Sequence, residues 1–204
     1  MKSGSQQEKA ITVQGLNRLT QEINMPTFTY SQNAAELLNA ILDVDANLTI
    51  STSTLDDGTF YKSDGTIGSS ASLYDGSIQG LGMDAGILLT SGDGAPPLNN
   101  TTEYYTQSLG MNFGDDDLYD VAQKAFYLSG ETRDTTILEF NFTAPDHIEN
   151  IKFDLVFASD EYPEFSDSAF VDVAAVFVNG QNYALFKDHA EQPLCITDTN
   201  PSLG

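Results

Sequence analysis

The sequence predicts a mainly β protein, a β-sandwich with long loops and two short α-helices, and three observations carry that expectation. Along several segments apolar residues alternate with polar ones, as they do on strands with one buried face. Only two segments, about 34–43 and 116–128, place apolar residues at helical spacing. Turn-forming Asp-Gly, Asn-Gly and Pro-Pro pairs punctuate the rest of the chain.

Residues 1–25 are polar and weakly patterned and read as a linker or peripheral N-terminal segment, with a possible outer strand around Ile11 and Val13. A single domain is expected over residues 26–204. Its first helix is signalled by Asn33 as cap, Glu36 three residues on as the reciprocal partner of a capping box, and an apolar face of Leu37, Leu38, Ile41 and Leu42. The second follows Gly114-Asp115-Asp116-Asp117 and carries Leu118, Val121, Ala122, Ala125 and Phe126 before Gly130. Strands are expected at Leu48–Ser53, Gly86–Thr90, Leu138–Phe142 and Ile151–Phe157, and at Phe170–Val178 leading through Asn179-Gly180 into Tyr183–Phe186 as a hairpin. The loop from Ser91 to Gln107 is long for a connector, which is common where loops carry function.

Composition narrows what such a domain can do. Thirty acidic residues against eight basic ones give a formal charge of -22, so no Lys/Arg surface for nucleic acid or an anionic membrane can be assembled. No apolar run approaches the ~18 residues of a membrane span, and the opening Met1-Lys2-Ser3-Gly4-Ser5 lacks the apolar run of a signal peptide. The last residues, from Ile196 to Gly204, are loop-like, so a larger parent protein is expected, with this domain truncated or split at its C-terminus. Self-repulsion on this scale favours bound cations. The lone Cys195 cannot form an intrachain disulfide and reads as a small core residue.

The densest carboxylate cluster is Asp160, Glu161, Glu164 and Asp167, followed by Asp172. Calcium takes about six to eight oxygen ligands, and an acidic loop on a rigid sheet can supply them, although a solvated acidic loop looks the same by composition. Asp172 favours the metal, because it sits in a run that is apolar on both alternating faces and a buried carboxylate needs a partner. Asp115 and Asp117 read either as helix-capping acids or as further ligands. Asp84, ahead of the apolar run after Ala85, is another candidate ligand at a strand end. Asp56-Asp57-Gly58, Asp64-Gly65 and Asp75-Gly76 read as turns. No catalytic motif is present, and His147 and His189 read as surface residues, so a non-enzymatic module is expected.

Six blocks in fixed order then carry a family resemblance: Gly86-Ile87-Leu88-Leu89-Thr90-Ser91-Gly92, Gly114 to Leu118, Leu138 to Phe142, Val156 to Phe165, Phe170 to Val173 and Phe177 to Gly180. Together they resemble the choice-of-anchor L domain, and the chain is similar to the calcium-dependent peptide-binding domains of bacterial repeats-in-toxin (RTX) adhesins. The resemblance implies an extracellular module of a larger surface adhesin, monomeric in itself, that meets a peptide or protein C-terminus on a host or neighbouring cell and contributes to biofilm contact.

The physical reading beside it is that Ca2+ held by Asp160, Glu161, Glu164 and Asp172, with help from the Asp115–Asp117 turn, leaves a position open for a ligand carboxylate. Tyr104, Tyr105, Tyr162, Phe165 and Asp167 are the expected ligand-contacting residues. A calcium-dependent lectin, with glycan hydroxyls in the open position, and a carboxylate-based glycosidase are the alternatives.

Overall fold

A computed structural model describes residues 26–43, 47–76, 82–97, 114–159, 171–186 and 189–196. Its described part is mainly β, with two short helices, as expected from the sequence.

The first strand, β1 (Thr27–Tyr30), leads into α1 (Ala34–Ile41). The Asn33 side chain caps that helix by accepting the Ala35 and Glu36 amides at 3.0 and 3.3 Å. Glu36 departs from the expected capping box: its carboxylate accepts the Ser31 hydroxyl at 2.6 Å, and Ser31 Oγ accepts the Asn33 N–H at 3.2 Å. The reciprocal arm of the box is thus relayed through a serine. Leu37 and Leu38 are buried, whereas Ile41, expected on the same face, is 45% exposed at the helix end.

The next strands are β2 (Thr49–Asp56), β3 (Thr59–Tyr61), β4 (Ile67–Ser69), β5 (Ala71–Asp75) and β6 (Ala85–Leu89). β5 is the middle of an antiparallel sheet in the order β1-β5-β6, and α1 packs on β6, β5 and β2. β3 and β4 form a hairpin whose turn is held by Asp64, which accepts the Thr66 N–H and hydroxyl at 2.9 and 2.6 Å. Those two donors hold the Asp64 carboxyl below its usual range. Gly65 follows with φ +83°, so the Asp-Gly pair is the turn its sequence indicates.

After α2 (Asp116–Ala125), β7 (Ile137–Thr143) pairs antiparallel with β2 along its whole length. β8 (Val173–Ala174), β9 (Phe177–Val178), β10 (Gln181–Asn182), β11 (Leu185–Phe186) and β12 (His189–Cys195) complete the described strands. β9 and β10 close a hairpin at Asn179-Gly180, both at positive φ, with Gln181–Asn182 rather than the expected Tyr183–Phe186 as the second arm, while β11-β12-β8 form a second three-stranded sheet against which α2 packs. Val121 and Ala122 face that sheet's buried side together with Cys195, which is fully buried as expected of a core residue. His147 and His189 are exposed.

One expected strand does not form. Residues 151–157 carry the alternating pattern, yet they have no regular secondary structure, and Ile151, Phe153 and Leu155 are 51, 47 and 43% exposed. A strand needs a ladder partner, and among the described residues no strand pairs with this segment. The run from Phe170 is likewise broken into β8 and β9 where the sequence suggested one strand.

Candidate functional site

Asp172 immediately precedes β8, and its backbone is fixed by the Ile196 N–H, which donates to the Asp172 carbonyl at 3.1 Å from the end of β12. Its carboxylate turns toward Ser159, whose hydroxyl donates to Asp172 Oδ2 at 2.5 Å. Burial pushes the Asp172 carboxyl above its ordinary range, and the serine hydrogen bond offsets only part of that. The pair stands at the two ends of the acidic segment, Ser159 entering it and Asp172 leaving it. A poorly hydrated carboxylate beside a hydroxyl oxygen is a hard-oxygen donor set of the kind calcium takes.

Asp115 is the N-cap of α2: its side chain accepts the Leu118 N–H at 2.8 Å. Thr132 locks the same residue from the other side, with its hydroxyl accepting the Asp115 N–H at 2.9 Å and lying 3.0 Å from the Asp115 carbonyl. Gly114 must be glycine there, since a Cβ would come 2.4 Å from the Thr132 carbonyl oxygen. Capping therefore occupies one carboxylate oxygen of Asp115. Asp116, Asp117 and Asp120 are exposed on the first turns of α2. Because α2 packs on β8 and β12, the helix that carries these acids lies against the strand that Asp172 precedes.

Asp84 is exposed just before β6, and its carbonyl accepts the Gly76 N–H at 2.8 Å across the turn from β5. This is a strand-end position, in a different sheet from Asp172. Asp160, Glu161, Tyr162, Glu164, Phe165 and Asp167 lie outside the described residues, as do Tyr104 and Tyr105. Among the described residues no three His, Cys, Asp or Glu side chains are grouped as a metal site, so Asp172 and the Asp115–Asp117 turn do not make one by themselves.

The start of the long loop after β6 is held by a polar hub that composition gave no reason to expect. Ser69, Ser70 and Ser72 are essentially fully buried. Ser70 Oγ accepts the Gly58 N–H at 2.8 Å and lies 2.6 Å from the Thr136 hydroxyl, which is also 2.6 Å from the Thr90 carbonyl. Ser69 donates to Asp57 at 2.7 Å, and Ser72 donates to the Gly94 carbonyl at 2.5 Å. Asp93 then accepts the Tyr30 hydroxyl at 2.5 Å and the Ala95 N–H at 2.9 Å, with Lys62 Nζ 4.5 Å over the Tyr30 ring. Burial and the Asp93 hydrogen bond together raise the Tyr30 phenol above its usual range. The loop is thereby fastened to β1, β4 and β5 as far as Ala95. The only trace of this in the sequence is the serine run between Gly68 and Leu73.

No helix among the described residues is long and apolar enough to cross a membrane. In comparison with known proteins, the family model described as the choice-of-anchor L domain matches residues 23–203. Neither the curated proteins nor the solved structures contain a match.

Proposed function

Since this chain belongs to the choice-of-anchor L family, a domain of bacterial cell-surface or secreted proteins, we propose that it is a calcium-dependent peptide-binding module of an adhesin. The observation that carries this reading is the Ser159–Asp172 pair, a carboxylate held largely out of water by the fold at the root of the acidic segment. A carboxylate so placed is costly when charged, and a divalent cation offsets that cost more fully than one hydroxyl does.

In this reading Asp172 holds the ion together with Asp160, Glu161 and Glu164, which follow Ser159 in the chain, and the Asp115–Asp117 turn adds negative potential from α2. Asp84 belongs to a separate position on the β1-β5-β6 sheet. Bound calcium would supply local positive charge, so that a strongly acidic protein can hold an anionic peptide terminus. The chain's own part is to present fixed oxygen donors and, through Tyr162, Phe165, Tyr104 and Tyr105, apolar contacts beside them.

Calorimetry tests this with one peptide in free-acid and amidated forms, each with calcium and with chelator. Binding is expected only for the free acid in calcium, and equal heats in all four arms would overturn the reading. Asp172→Asn is expected to abolish the calcium-dependent heat. A glycan array probed in calcium distinguishes a lectin, and turnover that survives chelation would identify a carboxylate enzyme.

A further inference from the structure

Residues 151–158 combine three properties that rarely coincide in a folded domain. Their sequence alternates Ile151, Phe153, Leu155 and Phe157 with Lys152, Asp154 and Val156. Ile151, Phe153 and Leu155 are each more than two-fifths exposed, and Val156 is 40% exposed. Among the described residues, moreover, the backbone N–H and C=O groups of this segment make no hydrogen bond. A run with strand patterning, open apolar side chains and an unpaired backbone is a template for one more strand.

Beside it lies a groove of about 590 Å³, lined by Phe153, Asp154 and Leu155 on one side and by Tyr183, Leu185 and Leu194 among those on the other. β11, which carries Leu185, pairs only with β12 among the described strands, so the groove runs along a sheet edge. Of its lining residues, Tyr183 is 51% exposed and Ala184 is buried.

We propose that this edge and groove dock an extended, basic segment of another polypeptide, added as a strand along residues 151–158 with its apolar side chains, at alternate positions, in the groove. The backbone supplies hydrogen bonds to any strand, and the groove selects apolar side chains at every second position. Charge selects the rest. A formal charge of -22 disfavours an acidic strand and favours lysine or arginine at the intervening positions. The same charge disfavours a second copy of this chain, which brings another -22 to the contact. The site needs no metal and is separate from the calcium reading of Asp172.

The test uses two peptides of about six residues, both amidated and both in chelator, so that neither depends on calcium or on a terminal carboxylate. One alternates valine with lysine, the other valine with glutamate. Hydrogen exchange of the whole chain is followed at residues 151–158. Fast exchange is expected in the free protein, slowed at least about tenfold by saturating lysine peptide, with the glutamate peptide binding at least about tenfold more weakly. Phe153→Ser with Leu155→Ser, both at exposed positions, is expected to abolish the effect while leaving the melting curve in place. The proposal is overturned by slow exchange of 151–158 in the free monomer, because another part of the chain then covers the edge. It is equally overturned by concentration-dependent dimerisation that the double variant removes, or by exchange that neither peptide changes.

Discussion

Replacing Ser70 with alanine isolates the contribution of the buried hub. The side chain is fully buried, and its Oγ is the acceptor for the Gly58 N–H at 2.8 Å, at a glycine that is itself buried. Alanine removes that acceptor and admits no water in its place. The Thr136 hydroxyl keeps the Thr90 carbonyl at 2.6 Å, so one donor rather than two is orphaned. A buried unsatisfied N–H costs about 1–3 kcal/mol. In a chain of this size each kcal/mol moves the melting temperature by about 2–4 °C, so Ser70→Ala is expected to melt about 2–12 °C below wild type. Calorimetric melting measures this directly, with Ser63→Ala in the exposed β3–β4 turn as the control, expected within about 0.5 kcal/mol of wild type. If Ser70→Ala melts no lower than Ser63→Ala, the hub carries no net stability and the hydrogen-bond reasoning fails. A cycle with Thr136→Val should show a coupling of at least about 0.5 kcal/mol, as expected of side chains in one network.

Gly94→Ala tests the docking of the loop on that hub. A Cβ there would come 2.6 Å from the Ser69 carbonyl oxygen and 3.1 Å from the Ala71 nitrogen, backbone atoms of a paired strand region that cannot swing aside, so a loss of about 1–3 kcal/mol in urea unfolding is expected. Asp172→Asn tests the buried carboxylate by its pH dependence. Because burial raises the Asp172 carboxyl above 3.8, the folded state binds its proton more tightly than the unfolded state, and calcium-free stability falls as pH rises from 3.8 through the folded value. Calcium-free Asp172→Asn should therefore be the more stable protein at pH 7, with the gap closing below pH 3.8, and urea unfolding across pH in chelator measures it. On the calcium reading, calcium at about 100 times its Kd is expected to raise the stability of wild type by about 2.7 kcal/mol, or about 5–11 °C, and to leave the variant unchanged.

What the sequence made legible follows from which physical signals are local. Both helices were readable because their caps and apolar faces are short-range, and α1 and α2 start within a residue of Asn33 and Asp115, the capping residues. β2 and β7 were readable because their residues alternate between half-buried and exposed, and β6 because its apolar run packs against α1. β5 was not. Its burial comes through Ala71, Ser72 and Tyr74, and the serines in and beside it meet their partners, Gly58, Gly94 and Thr136, only across 12 to 66 residues of chain. Composition ranks serine as a surface residue, and only an account of which backbone groups need partners can place it inside.

The segment at 151–158 shows the opposite error, and it is the more instructive. Alternation there is as regular as in β7, so a rule that equates alternation with a formed strand makes no distinction between them. β7 has β2 along its whole length, from Thr49 opposite Thr143 to Asp56 opposite Ile137, whereas 151–158 has no such neighbour among the described residues. Alternation reports that a segment suits a sheet; whether it becomes a strand depends on a second chain segment whose position the pattern does not encode. The site is affected by the same dependence. Asp172 was singled out by its apolar neighbours, and the fold does place its carboxylate in a poorly hydrated position. Yet the group it faces is Ser159, at the other end of the acidic segment, rather than a neighbour in its own strand. Burial of a charge is thus foreseeable from local sequence, while the identity of its partner is a property of the topology that joins β8 and β12 to the residues before the segment.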